Sequence, residues 1–228
     1  MARNFDGTDD NLTAAANSVT GIDVTTRSFG GWILRAGDPS VAETVMLGAS
    51  ALSAGNLRFN LVCETPVTAG WRPRVSHTFS TTTGVFTVTN DITNTVHHIM
   101  VVYDNSLTTN VPTIYVDGTS VAVTTSTTPV GTASTGADNL RFGESVTGTT
   151  DLAATVSHMI IMPSLLDAAQ VNRTKWWGRP GGGAAVNYPF LTSKLVDEGS
   201  SPDTLTATGT TVVSLPVPTV RPGSGMGW

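Results

Sequence analysis

The sequence predicts an all-β protein, a two-sheet antiparallel sandwich of the jelly-roll type with one short helix. Threonine occurs 38 times and glycine 23 times in 228 residues, whereas lysine occurs twice and glutamate four times. β-Branched residues favour strands, while lysine and glutamate are typical of helices. Short apolar runs also alternate with clusters of Gly, Asn, Asp and Thr, a pattern that indicates antiparallel strands joined by turns.

Nine apolar runs are predicted to be strands, which is enough for two packed sheets. They are residues 29–35, 57–63, 75–79, 85–89, 96–103, 113–116, 120–124, 140–143 and 156–162. The clearest hairpin joins the sixth and seventh runs through Asp117-Gly118. This dipeptide accepts the positive φ angles that a tight two-residue turn requires.

One helix of about two turns is predicted from Ser164 to Val171. Ser164 follows Pro163 in the position of an N-cap, and Asp167 lies three residues further on. Leu166, Ala169 and Gln170 follow at helical spacing.

We expect a single domain over residues 1–215, because a sandwich of this length forms one core. A Gly-rich break near 178–185 lies inside that domain and is not a linker. The chain after the break is too short and polar for a core of its own, so we expect it to add a strand or two to the same sandwich. Residues 216–228 are predicted to form a Pro/Gly-rich C-terminal tail.

Charge and cysteine content argue against several classes of partner and location. The formal net charge is −5 without a basic run, so we expect neither a nucleic acid nor a membrane as partner. The single cysteine, Cys63, excludes an intrachain disulfide framework, and its alternating run predicts a buried thiol. The first residues lack the apolar segment of a signal peptide, so we expect synthesis in the cytoplasm without export by that route.

No pattern predicts catalysis, so we expect a protein that is not an enzyme. Retaining glycosidases need two carboxylates about 5–5.5 Å apart, but the four glutamates are isolated from one another and no Glu-x-Asp-x-Glu strand occurs. A Gly-x-Ser-x-Gly element is also absent from the sequence. His97 and His98 are neighbours in a strand, so their side chains are predicted to point to opposite faces and cannot share a metal ion.

An acidic turn near the N-terminus is the candidate metal site. Asp6, Asp9 and Asp10 offer the hard oxygen ligands that calcium prefers. The alternative is ordinary turn chemistry, because Asp favours turns through hydrogen bonds to its own backbone. No cofactor is required, and calcium is the metal that these residues would bind.

Trp71, Arg72 and Arg74 form the candidate glycan contact. Sugars stack their apolar faces on exposed aromatic rings, and Trp71 lies in a predicted loop beside the two arginines. The alternative is that Trp71 anchors the loop by packing into the protein.

The C-terminal tail is the candidate assembly segment. It cannot form a core, yet it carries apolar side chains that gain free energy only when something covers them. These side chains are Val217, Val220, Met226 and Trp228. A disordered chain end is the alternative.

Several motifs, taken in order, resemble the laminin-G-like branch of the concanavalin A-like lectin/glucanase superfamily. They are Phe5-Asp6-Gly7-Thr8-Asp9-Asp10, Phe29-Gly30-Gly31-Trp32-Ile33-Leu34-Arg35, the run from His97 to Asp104, Ile114-Tyr115-Val116-Asp117-Gly118, and Leu140-Arg141-Phe142-Gly143. The resemblance implies a lectin-like sandwich and lends support to calcium at the acidic turn. The sequence departs from the family at Ser157 and His158, where many members carry an acidic residue.

The C-terminal part adds a second resemblance. Residues 151–171 look like the family's closing strand and helical turn, and the stretches 188–203 and 209–218 are similar to the last strand of versions encoded by tailed bacteriophages. The resemblance therefore implies a non-catalytic structural protein of a virus particle, on the head as a decoration or associated with the tail. We expect it in the virion as a homo-oligomer beside capsid or tail subunits, with affinity for a cell-surface glycan. A carbohydrate-binding module of a bacterial surface or secreted protein is the alternative.

Overall fold

The computed structural model describes residues 2–13, 25–35, 43–50, 57–62, 70–133, 138–143, 151–177, 186–188 and 206–213. Cys63, the Gly-rich break at 178–185 and the tail at 216–228 lie outside these residues. The strands are β1 (Ala2–Asp6), β2 (Asn11–Thr13), β3 (Thr26–Arg35), β4 (Glu43–Ser50), β5 (Leu57–Val62), β6 (Gly70–His77), β7 (Gly84–Val88), β8 (Ile92–Thr93), β9 (His97–Asp104), β10 (Thr113–Val116), β11 (Thr119–Val121), β12 (Val123–Thr127), β13 (Asp138–Phe142), β14 (Ala153–Met162), β15 (Val186–Tyr188), β16 (Thr206–Thr208) and β17 (Thr211–Val213). The helix α1 spans Ala168–Trp177.

The strands form two antiparallel sheets, which confirms the predicted sandwich. Sheet A has the order β11-β10-β9-β3-β14-β1-β17, with β15 also paired to β14. Sheet B has the order β12-β7-β6-β5-β4-β13-β2-β16, with β8 also paired to β6. The three short strands after the Gly-rich break join both sheets, β15 and β17 in sheet A and β16 in sheet B.

The core lies between the two sheets and is built from their inward-facing side chains. Its fully buried rings are Phe5, Phe29 and Tyr103 from sheet A and Trp71, Phe86 and Phe142 from sheet B. Phe86 and Tyr103 meet edge to face with their ring centroids 5.6 Å apart. Burying a large apolar side chain contributes about 1.5–3 kcal/mol, so this row of rings joins the two sheets.

Strand β14 contains a bulge at His158. Two residues, His158 and Met159, lie opposite the single residue Gly31 of β3, and His158 has a φ of 51°. A Cβ atom on Gly31 would lie 2.8 Å from the carbonyl oxygens of Ser157 and His158, so only glycine leaves room for the bulge. The extra residue reverses which side chains face the core, from Val156 before the bulge to Met159 after it.

The helix begins later than the sequence pattern predicts, at Ala168 and not at Ser164. The amide of Gln170 donates to Asp167 Oδ1 and the amide of Asp167 donates to Gln170 Oε1, both at 2.8 Å. This reciprocal pair makes Asp167 the N-cap. The prediction of Ser164 as the cap is wrong, because its carbonyl accepts a hydrogen bond from Ser28 Oγ at 2.8 Å and ties the segment to β3.

Helix α1 covers an apolar cluster on the outer face of sheet A. The cluster consists of Met100, Ile160, Met162, Leu166 and Val171. No helix in the described residues is long and apolar enough to span a bilayer.

The hairpin at Asp117-Gly118 is confirmed. Asp117 has a φ of 52° and Gly118 a φ of 85°, and Val116 pairs with Thr119 across the turn. The run 120–124, predicted as one strand, is two: β11 belongs to sheet A and β12 to sheet B. The chain crosses between the sheets at this point, which no apolar periodicity signals. Strand β4 was not among the predicted runs.

Two buried histidines make the stability of the fold depend on pH. Burial lowers the pKa of His77 to about 3, with a further contribution from the charge of Arg27. Burial also lowers the pKa of His98 to about 3. A histidine has a pKa near 6.5 in the unfolded chain, so below that pH the unfolded state binds protons that the folded state does not.

We therefore expect the free energy of unfolding to fall between pH 7 and pH 5 by about 2 kcal/mol for each histidine. Urea unfolding at the two pH values measures the loss. The Thr174 hydroxyl donates to the Val171 carbonyl and therefore accepts from His98 Nε2. The His98→Gln variant keeps a side-chain donor for Thr174 and should lose about half of the pH dependence. An unfolding free energy that is the same at pH 7 and pH 5 would contradict the burial of both rings.

Candidate functional site

Trp71 is buried and does not offer a ring to a ligand. It lies on β6 with 0% of its surface exposed and belongs to the core between the sheets. The prediction of Trp71 as a glycan contact is therefore wrong, and the alternative of a packed anchor is the correct one. The physical reason is that Trp71 lies within β6 and not in a loop, four residues before Val75, so both side chains point to the same inward face of the strand.

Arg72 and Arg74 occupy the outward positions of the same strand. Trp71 and Val75 face the core, so the two arginines between them point away from it, and both are partly exposed. Arg72 Nε donates to Asp91 Oδ1 at 2.6 Å. The structure places these two predicted site residues together on the outer face of sheet B.

A third arginine lies on that face. Arg141 of β13 stands between Leu140 and Phe142, which are both in the core, so its side chain points outward. Two threonines lie beside the arginines: Thr87, which pairs in register with Arg74 but is only 3% exposed, and the exposed Thr124, which pairs with Thr87. We call Arg72, Arg74, Arg141 and Thr124 the arginine face.

The acidic turn brings its three carboxylates together. One oxygen from each of Asp6, Asp9 and Asp10 lies within 4.8 Å of the others. Two ligands on opposite sides of a calcium ion lie about 5 Å apart, because each Ca–O distance is about 2.3–2.6 Å. The residues therefore fit calcium in ligand type and spacing.

Hydrogen bonds already order this turn. The Asp6 amide donates to Asp10 Oδ2 at 2.7 Å, and the Thr8 amide donates to Asp6 Oδ1 at 2.9 Å. Burial raises the pKa of Asp10, the hydrogen bond from Asp6 opposes the rise, and the charges of Asp6 and Asp9 add to it. The crowding of negative charge would be relieved by a bound cation.

His97 and His98 point to opposite faces, as predicted. His97 Nδ1 lies 2.7 Å from Asp117 Oδ2, and its Nε2 lies 3.0 Å from Thr93 Oγ1 and 3.1 Å from Thr95 Oγ1. His98 is buried on the other face, where its Nε2 lies 3.2 Å from Thr174 Oγ1.

Burial alone would raise the pKa of Asp117, but hydrogen bonds from the His97 ring and the His98 amide hold it below its usual range. The Asp117 carbonyl also accepts from Lys175 Nζ at 2.8 Å. The contact with Lys175 holds the hairpin turn against α1.

A surface cleft that the sequence did not indicate lies beside the connection between β9 and β10. Its volume is about 430 Å³. The residues that line it are Val102, Asp104, Thr109, Asn110, Val111, Thr113 and Leu165. We call it the β9–β10 cleft. Leu165 is distant from the other residues in the chain, so no local motif could have revealed it.

The remaining predicted residues lie outside the described part of the chain. They are Val217, Val220, Met226 and Trp228, together with Glu64, Glu144 and Glu198. Of Glu43 only the backbone position in β4 is described. The assembly tail and the absence of a catalytic carboxylate pair therefore stay predictions.

A match to a protein-family model assigns the chain to a family. The Laminin_G_3 model of the concanavalin A-like lectin/glucanases superfamily matches residues 6–172. The chain belongs to this superfamily. The resemblance in the sequence is thereby confirmed at the level of the superfamily, while its phage branch stays a prediction. No curated protein sequence matches the chain.

Solved structures support the same fold. The native heptameric SAP-like pentraxin of Limulus polyphemus has a TM-score of 0.64 at 11% identity, over 92% of this chain and 93% of that one. A candidate carbohydrate-binding protein from Bacteroides ovatus has a TM-score of 0.66 at 15% identity, over 96% of this chain. The chain spans 62% of that protein's length. At these identities the likeness shows the lectin-like fold alone.

A more distant neighbour is the sialidase of Trypanosoma rangeli. Its TM-score is 0.46 at 14% identity, over 65% of this chain and 22% of the sialidase. A likeness of this size says nothing about chemistry.

We expect calcium to raise the melting temperature, because an ion that binds only the folded turn stabilises the folded protein by mass action. Differential scanning fluorimetry in excess calcium and in chelator measures the rise. The Asp10→Asn variant should lose the calcium increment while remaining as stable as the unaltered protein in chelator, because the asparagine oxygen still accepts from the Asp6 amide. Asp91→Asn, outside the turn, is the matched control. Equal melting temperatures with and without calcium would leave only turn chemistry for these carboxylates.

Proposed function

We propose that this chain is a non-catalytic structural protein of a virus particle that binds an acidic glycan through the arginine face. The observation that carries the binding proposal is the position of Arg72, Arg74 and Arg141 on one outer face of a lectin-superfamily sandwich. The Bacteroides ovatus neighbour, named as a candidate carbohydrate-binding protein, supports glycan binding.

The spacing of the arginines suits an extended anionic chain. Arg72 and Arg74 are two residues apart on β6, which corresponds to about 7 Å along a strand. Arg141 lies three strands away in the order β6-β5-β4-β13, which corresponds to about 14 Å across the sheet. A linear oligosaccharide with repeated carboxylate or sulfate groups can contact all three positions.

Guanidinium chemistry favours an acidic ligand over a neutral one. Arginine pairs with carboxylates and sulfates through two parallel N–H donors, and the exposed Thr124 adds a hydroxyl group on the same face. The ion pair between Arg72 and Asp91 is partly exposed, with 24% and 37% of the side chains accessible. Such pairs are weak in water, so a ligand anion can compete for Arg72.

The virion assignment rests on the resemblance of the C-terminal part to phage-encoded relatives. A chain with one cysteine also folds without disulfide bonds. In this proposal the protein is a homo-oligomer held on the particle by capsid or tail subunits, and the acidic glycan belongs to the surface of the host cell. A carbohydrate-binding module of a bacterial surface or secreted protein is the second candidate, which the Bacteroides ovatus neighbour favours.

We expect the double variant Arg72→Ala/Arg74→Ala to bind a heparin octasaccharide or an oligogalacturonate about tenfold more weakly, because it loses two partly exposed charge pairs worth up to about 1 kcal/mol each. Isothermal titration calorimetry at two salt concentrations measures the affinity, which should fall as salt rises.

The matched control is Arg173→Ala, which removes an exposed arginine on α1. It should leave the affinity unchanged, and dextran, a neutral glucan, should not bind to the arginine face. Equal affinity of the double variant and the unaltered protein for both acidic oligosaccharides would refute the arginine face as the binding site.

The assembly role has its own test. A protein that lacks residues 216–228 should remain folded and soluble but should be lost from purified particles, because its apolar tail residues would no longer be covered by a neighbouring subunit. Immunoblotting of particles assembled with full-length and truncated protein measures incorporation. Normal incorporation of the truncated protein would contradict anchoring by the tail.

A further inference from the structure

The β9–β10 cleft has two fixed walls. On one side Asn105 is 1% exposed, its amide donates to the Thr25 carbonyl at 2.8 Å, and its side-chain Nδ2 lies about 3 Å from the His77 ring nitrogens. The start of the connection is therefore anchored in the interior. Further along, the Asn110 amide donates to the Leu107 carbonyl at 3.2 Å.

The segment that carries Leu165 is fixed by β3. Ser28 Oγ donates to the Ser164 carbonyl at 2.8 Å and accepts from the Leu166 amide at 2.9 Å. These two bonds hold Leu165 between them at the edge of the cleft. A cleft whose walls are held before a ligand arrives loses little conformational entropy on binding.

The lining of the cleft combines polar and aliphatic groups. Asp104 supplies a carboxylate, Asn110 an amide, and Thr109 and Thr113 supply hydroxyls. Val111 is 49% exposed and Leu165 is 46% exposed, so apolar surface would be covered when a ligand binds. Its described lining residues include one carboxylate and no cationic side chain.

These groups select among ligand classes. A hydrogen bond between the Ser106 side chain and Asp104 and another from the Ser106 amide lower the pKa of Asp104, so it is ionised at neutral pH and repels anions. Amide and hydroxyl groups both donate and accept, as sugar hydroxyls do. Aliphatic side chains cover the apolar face of a sugar ring. A volume of about 430 Å³ lies within the range of small-molecule sites.

We propose that the β9–β10 cleft is a second binding site, specific for an uncharged sugar ring. It lies on the sheet A side of the sandwich and uses none of the residues of the arginine face. The site is therefore independent of the acidic-glycan proposal.

The test is an NMR titration of the full chain with methyl glycosides of glucose, galactose, mannose and N-acetylglucosamine, one at a time. At least one should shift the amide signals of residues 102–113 and 165 in a saturable manner. N-Acetylneuraminic acid, which is negatively charged, should shift none of them. Asp104→Asn keeps an acceptor for the Ser106 amide and Asn110→Ala changes a surface side chain, and each should weaken binding about tenfold.

Asp91→Asn makes the same charge change on the sheet B side and should leave the affinity unchanged, as should the double variant of Arg72 and Arg74. The absence of shifts at residues 102–113 with all four glycosides would overturn the proposal. Unchanged affinity in both cleft variants would overturn it as well. Failure of the unaltered protein to bind either acidic oligosaccharide would refute the arginine face and leave the cleft proposal intact.

Discussion

Strand β14 changes both its partner and its inward face at one point, the bulge at His158. Before the bulge its edge pairs with β1, and after it with β15. Val156 and Met159 both face the core because the extra residue resets the alternation. Without the bulge, Ile160 would point into the core and Met159 away from it, and the outer face of sheet A would lose the platform on which α1 rests.

The two outer faces of the sandwich carry different side chains. The outer face of sheet A carries Ile160 and Met162, and these residues hold Leu166 and the helix against the sheet. The same segment presents Leu165 to the β9–β10 cleft. The outer face of sheet B carries the arginines of β6 and β13 and the exposed Thr124 of β12. The two proposals follow this difference, a neutral sugar ring at the cleft on the sheet A side and an acidic oligosaccharide on the outer face of sheet B.

The strands and the Asp117-Gly118 turn could be predicted because their causes are local. β-Branched runs and a dipeptide that accepts positive φ determine them within a few residues. The start of α1 was missed because Asp167 and Ser164 are both suitable caps by sequence, and the bonds of Ser28 to the Ser164–Leu166 segment decide between them. The bulge at His158 depends on space above Gly31, a residue of another strand.

Only part of the candidate site could likewise be predicted from the sequence. The sequence places Arg72 and Arg74 beside each other, and their role in binding stays a prediction. The inward position of Trp71 depends on the extent of β6, and it removes the aromatic ring from the predicted contact. Arg141 lies on the same face as Arg72 and Arg74 because of the order of four strands in sheet B, and Leu165 lies at the cleft because its segment is hydrogen-bonded to β3. These residues are distant in the chain from the others, so no local sequence pattern could have predicted that they lie together.

A crystal structure of the protein with a heparin octasaccharide tests most directly whether the outer face of sheet B holds the acidic ligand. We expect sulfate groups within hydrogen-bonding distance of the guanidinium groups of Arg72, Arg74 and Arg141. An oligosaccharide bound only elsewhere on the protein, with the arginine face uncovered by crystal neighbours, would contradict the account.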